Sequence, residues 1–403
     1  MKKIFLTTIT LLSIASASVF GMYGANSGWI DFLTHGNQFR ARMQQLGFTL
    51  GNDTIKGTFG FFNDGRGAYG SMLSQSTATG ERGTGLYYDF TPTISMGLAY
   101  TSSLISVGVG YNATIGPRLN RYNNKTNPKK VEAVVHTPVL VLNAMDNAFR
   151  MAIPIQVVNL TDKFDDLKGS VTAVSLDAQF RYYTGLDFLP QIRLYLRYGN
   201  YGGQVSGAGE KIKETFAESF GFEFRLWFGS MVEEVAINPI IKIKYDGALG
   251  KQHSNTEVTA LGALNDSAEY MGGVADSFAQ ILGGNPDAPQ PIPAYGKGEA
   301  WKKGAWNLKL TPALGITANS DIVSLYVEPS LGLKITQLGS ATDNKAKEIY
   351  SLDWGAYAEI YITPLKNLEW YFEADVSGGD VAAKQPPVKF AASTGITWYL
   401  PAL

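Results

Sequence analysis

The chain has no cysteine, which excludes disulfide scaffolds, zinc ribbons, thiol catalysis and lipid attachment at a cysteine. Its three histidines, His35, His136 and His253, lie too far apart in sequence to suggest a histidine-rich metal cluster. Charge is scarce as well. Asp, Glu, Lys and Arg make up 17% of 403 residues, and 34 basic against 35 acidic side chains leave a net charge of −1. Neither a nucleic-acid binder nor a polybasic membrane-surface protein has that balance. Beyond the N-terminus no stretch approaches the roughly 18 apolar residues of a membrane-spanning helix. No Walker loop, H-E-x-x-H or EF-hand pattern occurs either. What the chain does have is 44 Gly, 21 Tyr and 21 Phe. That profile suits strands and tight turns and argues against disorder and helical bundles.

The first residues set the compartment. Lys2 and Lys3 precede the apolar stretch Ile4 to Ala15, and small residues follow in Ala15-Ser16-Ala17 and Val19-Phe20-Gly21. This is the layout of an export signal, and Val19 and Gly21 fit the −3 and −1 positions of a cleavage site after Gly21. Residues 1–21 are therefore expected to be a signal peptide and 22–403 a single exported domain. Loss of Lys2 and Lys3 leaves 32 basic against 35 acidic residues, a net charge of −3.

Periodicity gives the architecture. In Ser219 to Gly229 the residues Phe220, Phe222, Phe224, Leu226 and Phe228 share one face, and Gly221, Glu223, Arg225 and Trp227 the other. Such alternation means an extended strand with one apolar and one polar side. Ala173 to Tyr183, Gln191 to Gly199 and Lys389 to Trp398 repeat it. Short breaks near Gly51–Asp53, Thr101–Ser103, Asn143–Asn147, Gly185–Phe188, Ser230–Glu234, Asn319–Asp321 and Pro364–Asn367 take turns with longer polar stretches at 63–83, 113–130, 159–169, 200–215, 247–304, 337–347 and 377–387. An antiparallel outer-membrane barrel has this asymmetry, with tight turns at one rim and long loops at the other. The expected fold is all-β: an antiparallel, up-and-down transmembrane β-barrel of about 16 strands, within a range of ~12–18. Ser27 to Leu33 is assigned as its first strand, and Thr34 to Gln38 as a small outer loop.

The same pattern sorts chemistry by face. The apolar faces are expected to meet lipid. The candidate pore-lining residues are Asp177, Arg181, Arg193, Arg197, Glu223, Arg225, Lys242, Lys244, Glu359, Glu373 and Asp375. Basic residues dominate the middle strands and acidic ones the strands after Lys347. Two readings stay open: opposed walls that hold a transverse field, as in diffusion pores, or charges that pair and keep the interior hydrated. Tyr87-Tyr88, Tyr182-Tyr183, Trp370-Tyr371 and Trp398-Tyr399 sit near strand ends and suit interfacial girdles. His136 reads as a wall residue. Gly65 to Gly70 matches G-x-G-x-x-G, but without the strand–helix context that would make it a nucleotide site. The longest connection, 247–304, contains short helical patterns at 258–264 and 275–282 and a proline-rich stretch from Asn285 to Pro293.

The segment from Gly21 to Phe61, GMYGANSGWIDFLTHGNQFRARMQQLGFTLGNDTIKGTFGF, resembles the start of the variable surface proteins of intestinal spirochaetes. The likeness extends to the signal and to the terminal GITWYLPAL, and is strongest from Trp29 to Arg40. It implies an abundant outer-membrane surface antigen that differs between strains and helps its bearer evade host immunity. It implies no enzyme activity, no cofactor and no catalytic residue; the barrel itself rests on the alternation.

The combined expectation is a non-enzymatic, surface-exposed outer-membrane protein, with solute permeation left open. The alternative is a secreted or peripheral β-rich adhesin that packs its apolar faces in a soluble core. Expected partners are outer-membrane lipid around the wall and host antibodies or surface molecules at the loops, with a homo-oligomer left open and nucleic acid excluded. No metal and no cofactor are expected.

Overall fold

The computed structural model describes residues 26–42, 45–63, 92–120, 130–164, 167–207, 210–232, 235–249, 306–337, 348–378 and 388–401. A 3₁₀ helix over Asn26–Asp31 comes first. The strands follow: β1 (Gln38–Arg42), β2 (Gln45–Gly51), β3 (Ile55–Asn63), β4 (Pro92–Tyr100), β5 (Ile105–Asn120), β6 (Lys130–Ala144), β7 (Phe149–Phe164), β8 (Leu167–Tyr183) and β9 (Gln191–Gly207). The second half comprises β10 (Glu210–Trp227), β11 (Met231–Val232), β12 (Val235–Leu249), β13 (Trp306–Asn319), β14 (Val323–Gln337), β15 (Glu348–Leu365), β16 (Leu368–Gly378) and β17 (Val388–Tyr399).

All 17 belong to one sheet, and every pairing is antiparallel. β11 is a two-residue ladder within the β10–β12 connection, so sixteen strands build the wall. The sheet closes because β1 pairs on both sides, with Gln38 opposite Thr49 of β2 and opposite Tyr399 of β17. Closure gives each of the sixteen wall strands a partner on both sides, so none of them is a free edge strand.

Alternating burial shows what the two faces do. On β5, Ser106, Gly108, Gly110, Asn112 and Thr114 are buried, while Ile105, Val107 and Val109 are exposed. The same holds round the wall: Leu98 on β4 is 59% exposed and Phe390 on β17 is 72% exposed, whereas Asp177, Gln179 and Arg181 on β8 are buried. This is the inverse of a soluble sandwich, and it marks the outside as the apolar side.

At one rim all connections are short: 52–54, 101–104, 145–148, 184–190, 228–234, 320–322 and 366–367. In the turn at 145–148, Met145, Asp146 and Asn147 have φ of 57°, 53° and 64°, a left-handed run that Asp and Asn tolerate better than most residues. On the outer surface of this rim lie Tyr182, Trp370 and Trp398, while their chain neighbours Tyr183, Tyr371 and Tyr399 point inward. Each aromatic doublet read from the sequence thus splits between the faces; Tyr87-Tyr88 lies outside the described residues. Toward the opposite rim Phe222, Tyr245 and Trp306 stack outside on β10, β12 and β13, with ring centroids 5.8 and 6.5 Å apart. His136 is on the outer face of β6, its Nδ1 against the Tyr111 hydroxyl.

Several expectations change. Ser27 to Leu33 is not the first strand: the 3₁₀ helix and the turn after it lie inside the barrel, with Trp29, Ile30 and Phe32 wholly buried. The wall begins instead with the β1–β2 hairpin, whose two strands lie before the break at Gly51–Asp53, and so the count of sixteen is unchanged. The polar stretches at 159–169 and 200–215 are mostly strand, leaving only 165–166 and 208–209 as connections. A ladder continues as long as its backbone groups pair, whatever the side chains, so β7 to β10 run on past their apolar faces. In the long connection, 247–249 still belong to β12. The rest, with its helical patterns, lies outside the described residues, as do the expected signal peptide 1–21, Gly65 to Gly70 and His253.

Candidate functional site

The interior is where the chain concentrates its polar chemistry. All eleven predicted lining residues occupy inward positions, as register and burial together show. They are brought together unequally.

On the middle strands, Arg197 Nε lies 3.5 Å from Asp177 Oδ1 and its Nη2 donates to Glu223 Oε2 at 3.2 Å. Glu223 also accepts from Arg225 Nε. The Arg197 and Arg225 guanidinium groups both lie over the Tyr195 ring, at 5.7 and 5.0 Å from its centroid. Lys244 faces Asp246 at 3.6 Å on its own strand.

Charges on the later strands pair by reaching over one intervening strand. Lys242 on β12 donates to Glu328 on β14, and Lys309 Nζ on β13 to Asp353 Oδ1 on β15 at 2.8 Å. Tyr326 and Thr311 donate to those same carboxylates. At the closing seam Arg42 on β1 donates to Glu373 on β16, passing Gly395 on β17, with its guanidinium 4.5 Å from the Tyr371 ring centroid. A Cβ at Gly395 would stand 2.4 Å from Tyr371 Oη and 2.6 Å from the Ala41 carbonyl oxygen, so only glycine fits beneath this bridge. Tyr357 donates to both Glu359 and Glu373. Asp375 sits further along β16, exposed.

The middle-strand cations that pair thus do so with Asp31, Asp177, Glu223, Asp246 and Glu328, while of the acids after Lys347 Asp353 takes Lys309 and Glu373 takes Arg42. Alternation identified the inward face but missed Arg42, Lys309, Glu328 and Asp353, whose own strands show the same period and carried the signal.

A second feature had no sequence-level forecast. Residues 28–33 enter the barrel at the short-turn rim and pack on an apolar part of its inner wall, Ala99, Val139, Val141 and Ala152. Trp29 stands edge-on to Phe32 with centroids 5.5 Å apart, and its Nε1 donates to Asn112 Oδ1 at 3.3 Å. The wall makes room through glycine. A Cβ at Gly97 or Gly110 would lie 2.8 or 2.4 Å from the indole.

Asp31 anchors the segment. Arg150 Nη1 donates to its Oδ1 at 3.0 Å, and Arg181 Nη1 to Oδ1 and Oδ2 at 2.9 and 3.0 Å. Burial opposes ionisation of this carboxyl, but Arg181 and Arg150 outweigh it and hold its pKa below the ordinary value. Burial, reinforced by Arg40, pushes the His35 imidazole down to about 3, so it is neutral at physiological pH. Lys56 Nζ donates to the Leu33 carbonyl at 2.6 Å. Asn37 then ties the exit of the segment to both seams: its Nδ2 donates to the carbonyls of Gly51 and Pro401 at 3.0 and 2.8 Å, and its Oδ1 accepts from the Gly51 amide at 2.8 Å.

A hint of this lay in β6. Val135, Val139 and Val141 are apolar on the inner face too, which a water-filled lumen does not require and an internal apolar segment does. Among the described residues no group of three or more His, Asp or Glu side chains is placed to hold a metal ion.

Comparison with solved structures finds likenesses of low identity and low TM-score. The translocator domain of the autotransporter NalP from Neisseria meningitidis is 12% identical, covers 67% of this chain and 83% of its own, and has a TM-score of 0.31. The β domain of the Bordetella autotransporter BrkA is 10% identical, covers 91% and 100%, and has a TM-score of 0.32. The copper transporter OprC is 9% identical, covers 90% and 64%, and has a TM-score of 0.41. At such scores these likenesses add nothing to what the strand register shows. No curated protein matches the chain. The family model of the Serpulina hyodysenteriae variable surface protein matches residues 2–399, and the chain belongs to that family.

Proposed function

We propose that this protein is a non-enzymatic barrel of the outer membrane that presents its long connections to the outside as a variable antigen, and so serves host immune evasion. The observation that carries the reading is the closed wall with apolar side chains outward and charge inward, since only a closed sheet can satisfy its backbone in hydrocarbon. The rim asymmetry supports the orientation. Connections of 64–91, 121–129 and 250–305 leave one rim and none longer than 184–190 or 228–234 leaves the other, and barrels of this class keep short turns in the periplasm. Membership of a variable surface protein family supports the surface role. Lipid is the partner of the outer face, and host antibodies the partner of the loops. A soluble adhesin does not account for Leu98, Val109 and Phe390 on an open face.

The test combines fractionation with surface proteolysis. The protein should enter the detergent phase, migrate faster on gels before boiling than after, and on intact cells be cut within 64–91, 121–129 and 250–305. Recovery in the aqueous phase would remove the membrane reading, and first cuts at 145–148 would reverse the orientation.

Diffusion of solutes is a second reading, supported by the polar inner wall and opposed by the segment 28–33 seated in the short-turn mouth. Planar-bilayer conductance of the refolded barrel, with and without Asp31→Asn, decides it. Steps that appear or lengthen in the variant support a plugged pore, and silence from both excludes permeation.

A further inference from the structure

Register brings five cations into one row. Arg150 on β7 lies opposite Arg181 on β8, Arg181 opposite Arg193 on β9, Arg193 opposite Arg225 on β10, and Arg225 opposite Lys242 on β12. All five face the interior. Directly opposed side chains on one face stand within about 5.5 Å at their Cβ atoms, and like charges so placed repel.

Acids answer most of the row but not all of it. Asp31 serves Arg150 and Arg181, Glu223 serves Arg225, and Glu328 serves Lys242. Glu223 is shared with Arg197, which also takes Asp177. Among the described residues the row and Arg197 thus set six cations against the four carboxylates that pair with them. Arg193 is the member left over. Among the described residues it has no carboxylate within ion-pair distance; its Nε donates to Gln191 Oε1 at 2.8 Å and its plane lies 4.1 Å from the Trp227 ring centroid. Those contacts fix the guanidinium plane and leave both terminal nitrogens without a protein acceptor among the described residues. A held, largely buried cation between two others draws a counter-anion strongly, because water screens it poorly. The planar fork of guanidinium matches the paired oxygens of an oxyanion.

We propose that the row Arg150–Arg181–Arg193–Arg225–Lys242 is a binding site for a small oxyanion of the phosphate class, with Arg193 as the residue that receives it. The site needs only the barrel interior and is independent of any antigenic role. Asp31 already occupies the row's first two arginines, so the internal segment acts as a built-in ligand at one end while Arg193 stays available.

The experiment uses the mature chain refolded in phosphate-free detergent. The midpoint of heat unfolding is followed by the gel-mobility change while sodium phosphate, or sodium chloride at matched ionic strength, is added. The expected result is a saturable rise with phosphate and none with chloride. In Arg193→Gln the midpoint without phosphate should rise, since a repelling charge has gone, and phosphate affinity by calorimetry should fall roughly tenfold or more. Arg193→Lys keeps charge without the fork and should bind phosphate several-fold more weakly than the parent, which tests the same point if Arg193→Gln does not fold. Lys309→Gln, away from the row, should keep the parental response. The proposal is overturned by a phosphate effect that chloride reproduces, by no saturable effect at all, or by an undiminished effect in both Arg193 variants.

Discussion

The indole of Trp29 fills the space that a side chain at Gly110 would need: a Cβ built there would stand 2.4 Å from the ring. A wall residue on β5 and a residue of the N-terminal segment are therefore one packing unit, and the same indole donates to Asn112, 83 positions along the chain.

Gly110→Val should expel the indole without opening the barrel. Overpacking of this kind costs about 1–3 kcal/mol, borne by docking of residues 28–33 rather than by the ladder. Tryptophan emission should shift to the red by the amount that Trp29→Phe removes, while far-UV dichroism keeps its strand signature. An unchanged emission would mean that the segment is seated elsewhere.

Asp31→Asn removes the only carboxylate bonded to both Arg150 and Arg181 among the described residues. Losing one partner of a buried ion pair typically costs ~3–5 kcal/mol. Amide hydrogen exchange at Phe32, Thr34 and His35, whose N–H groups bond back to Trp29 and Asp31, should accelerate by at least about a hundredfold. Exchange in β8 and β9 should change far less.

Acid should undock the same segment in two stages. His35 titrates at about 3 when docked and near 6.5 when free, so the undocked form takes up a proton first and docking weakens as pH falls below about 6.5. Asp31 has a depressed pKa when docked. Its stabilisation is complete above the ordinary carboxylate value, near 3.9, and is lost as pH falls through the lower docked one. His35→Gln should abolish the first stage and leave the second. Fluorescence of Trp29 followed from pH 8 to 3 checks both; a flat response above pH 5 in the parent would contradict the His35 assignment.

Gly395→Val should prevent closure of the wall, since its side chain would meet Tyr371 Oη and the Ala41 carbonyl at the β1–β17 seam. The expected outcome is loss of the fast-migrating unboiled band, with strand content kept in an open or aggregated sheet. A normal gel shift would show that the Arg42–Glu373 bridge can give way at little cost.

Lysine on the outer face should be far more costly than loss of lysine inside. Leu98 and Val109 are opposed across β4 and β5 and both exposed, so Leu98→Lys places a charge in hydrocarbon at ~2–4 kcal/mol if near the midplane. Lys244→Gln gives up one 3.6 Å pairing in a wet interior and should stay within about 1 kcal/mol of the parent. Urea titration of folding into vesicles measures both.

The sequence by itself determined the wall. Strict exchange of Phe220, Phe222 and Phe224 with Gly221, Glu223 and Arg225 fixes which side of β10 is wet, because side chains of an extended chain point alternately to opposite faces. That local rule was enough for the all-β class and for the face of the charges it named, whereas the count of sixteen came from two strand assignments that offset each other. It could not separate Trp29 to Leu33 from a strand, since a short apolar run with one acid has no distinctive period. What decided its fate was non-local: β1 and β17 close the wall without it, and Val139, Val141 and Ala152 offer it an apolar seat within. The arginine row is likewise a product of register. Alternation tells a residue's face but not its height, and height depends on how each strand slides against its neighbours until the whole sheet closes. Only that closure set Arg150, Arg181, Arg193 and Arg225 side by side and left Arg193 without an acid among the described residues.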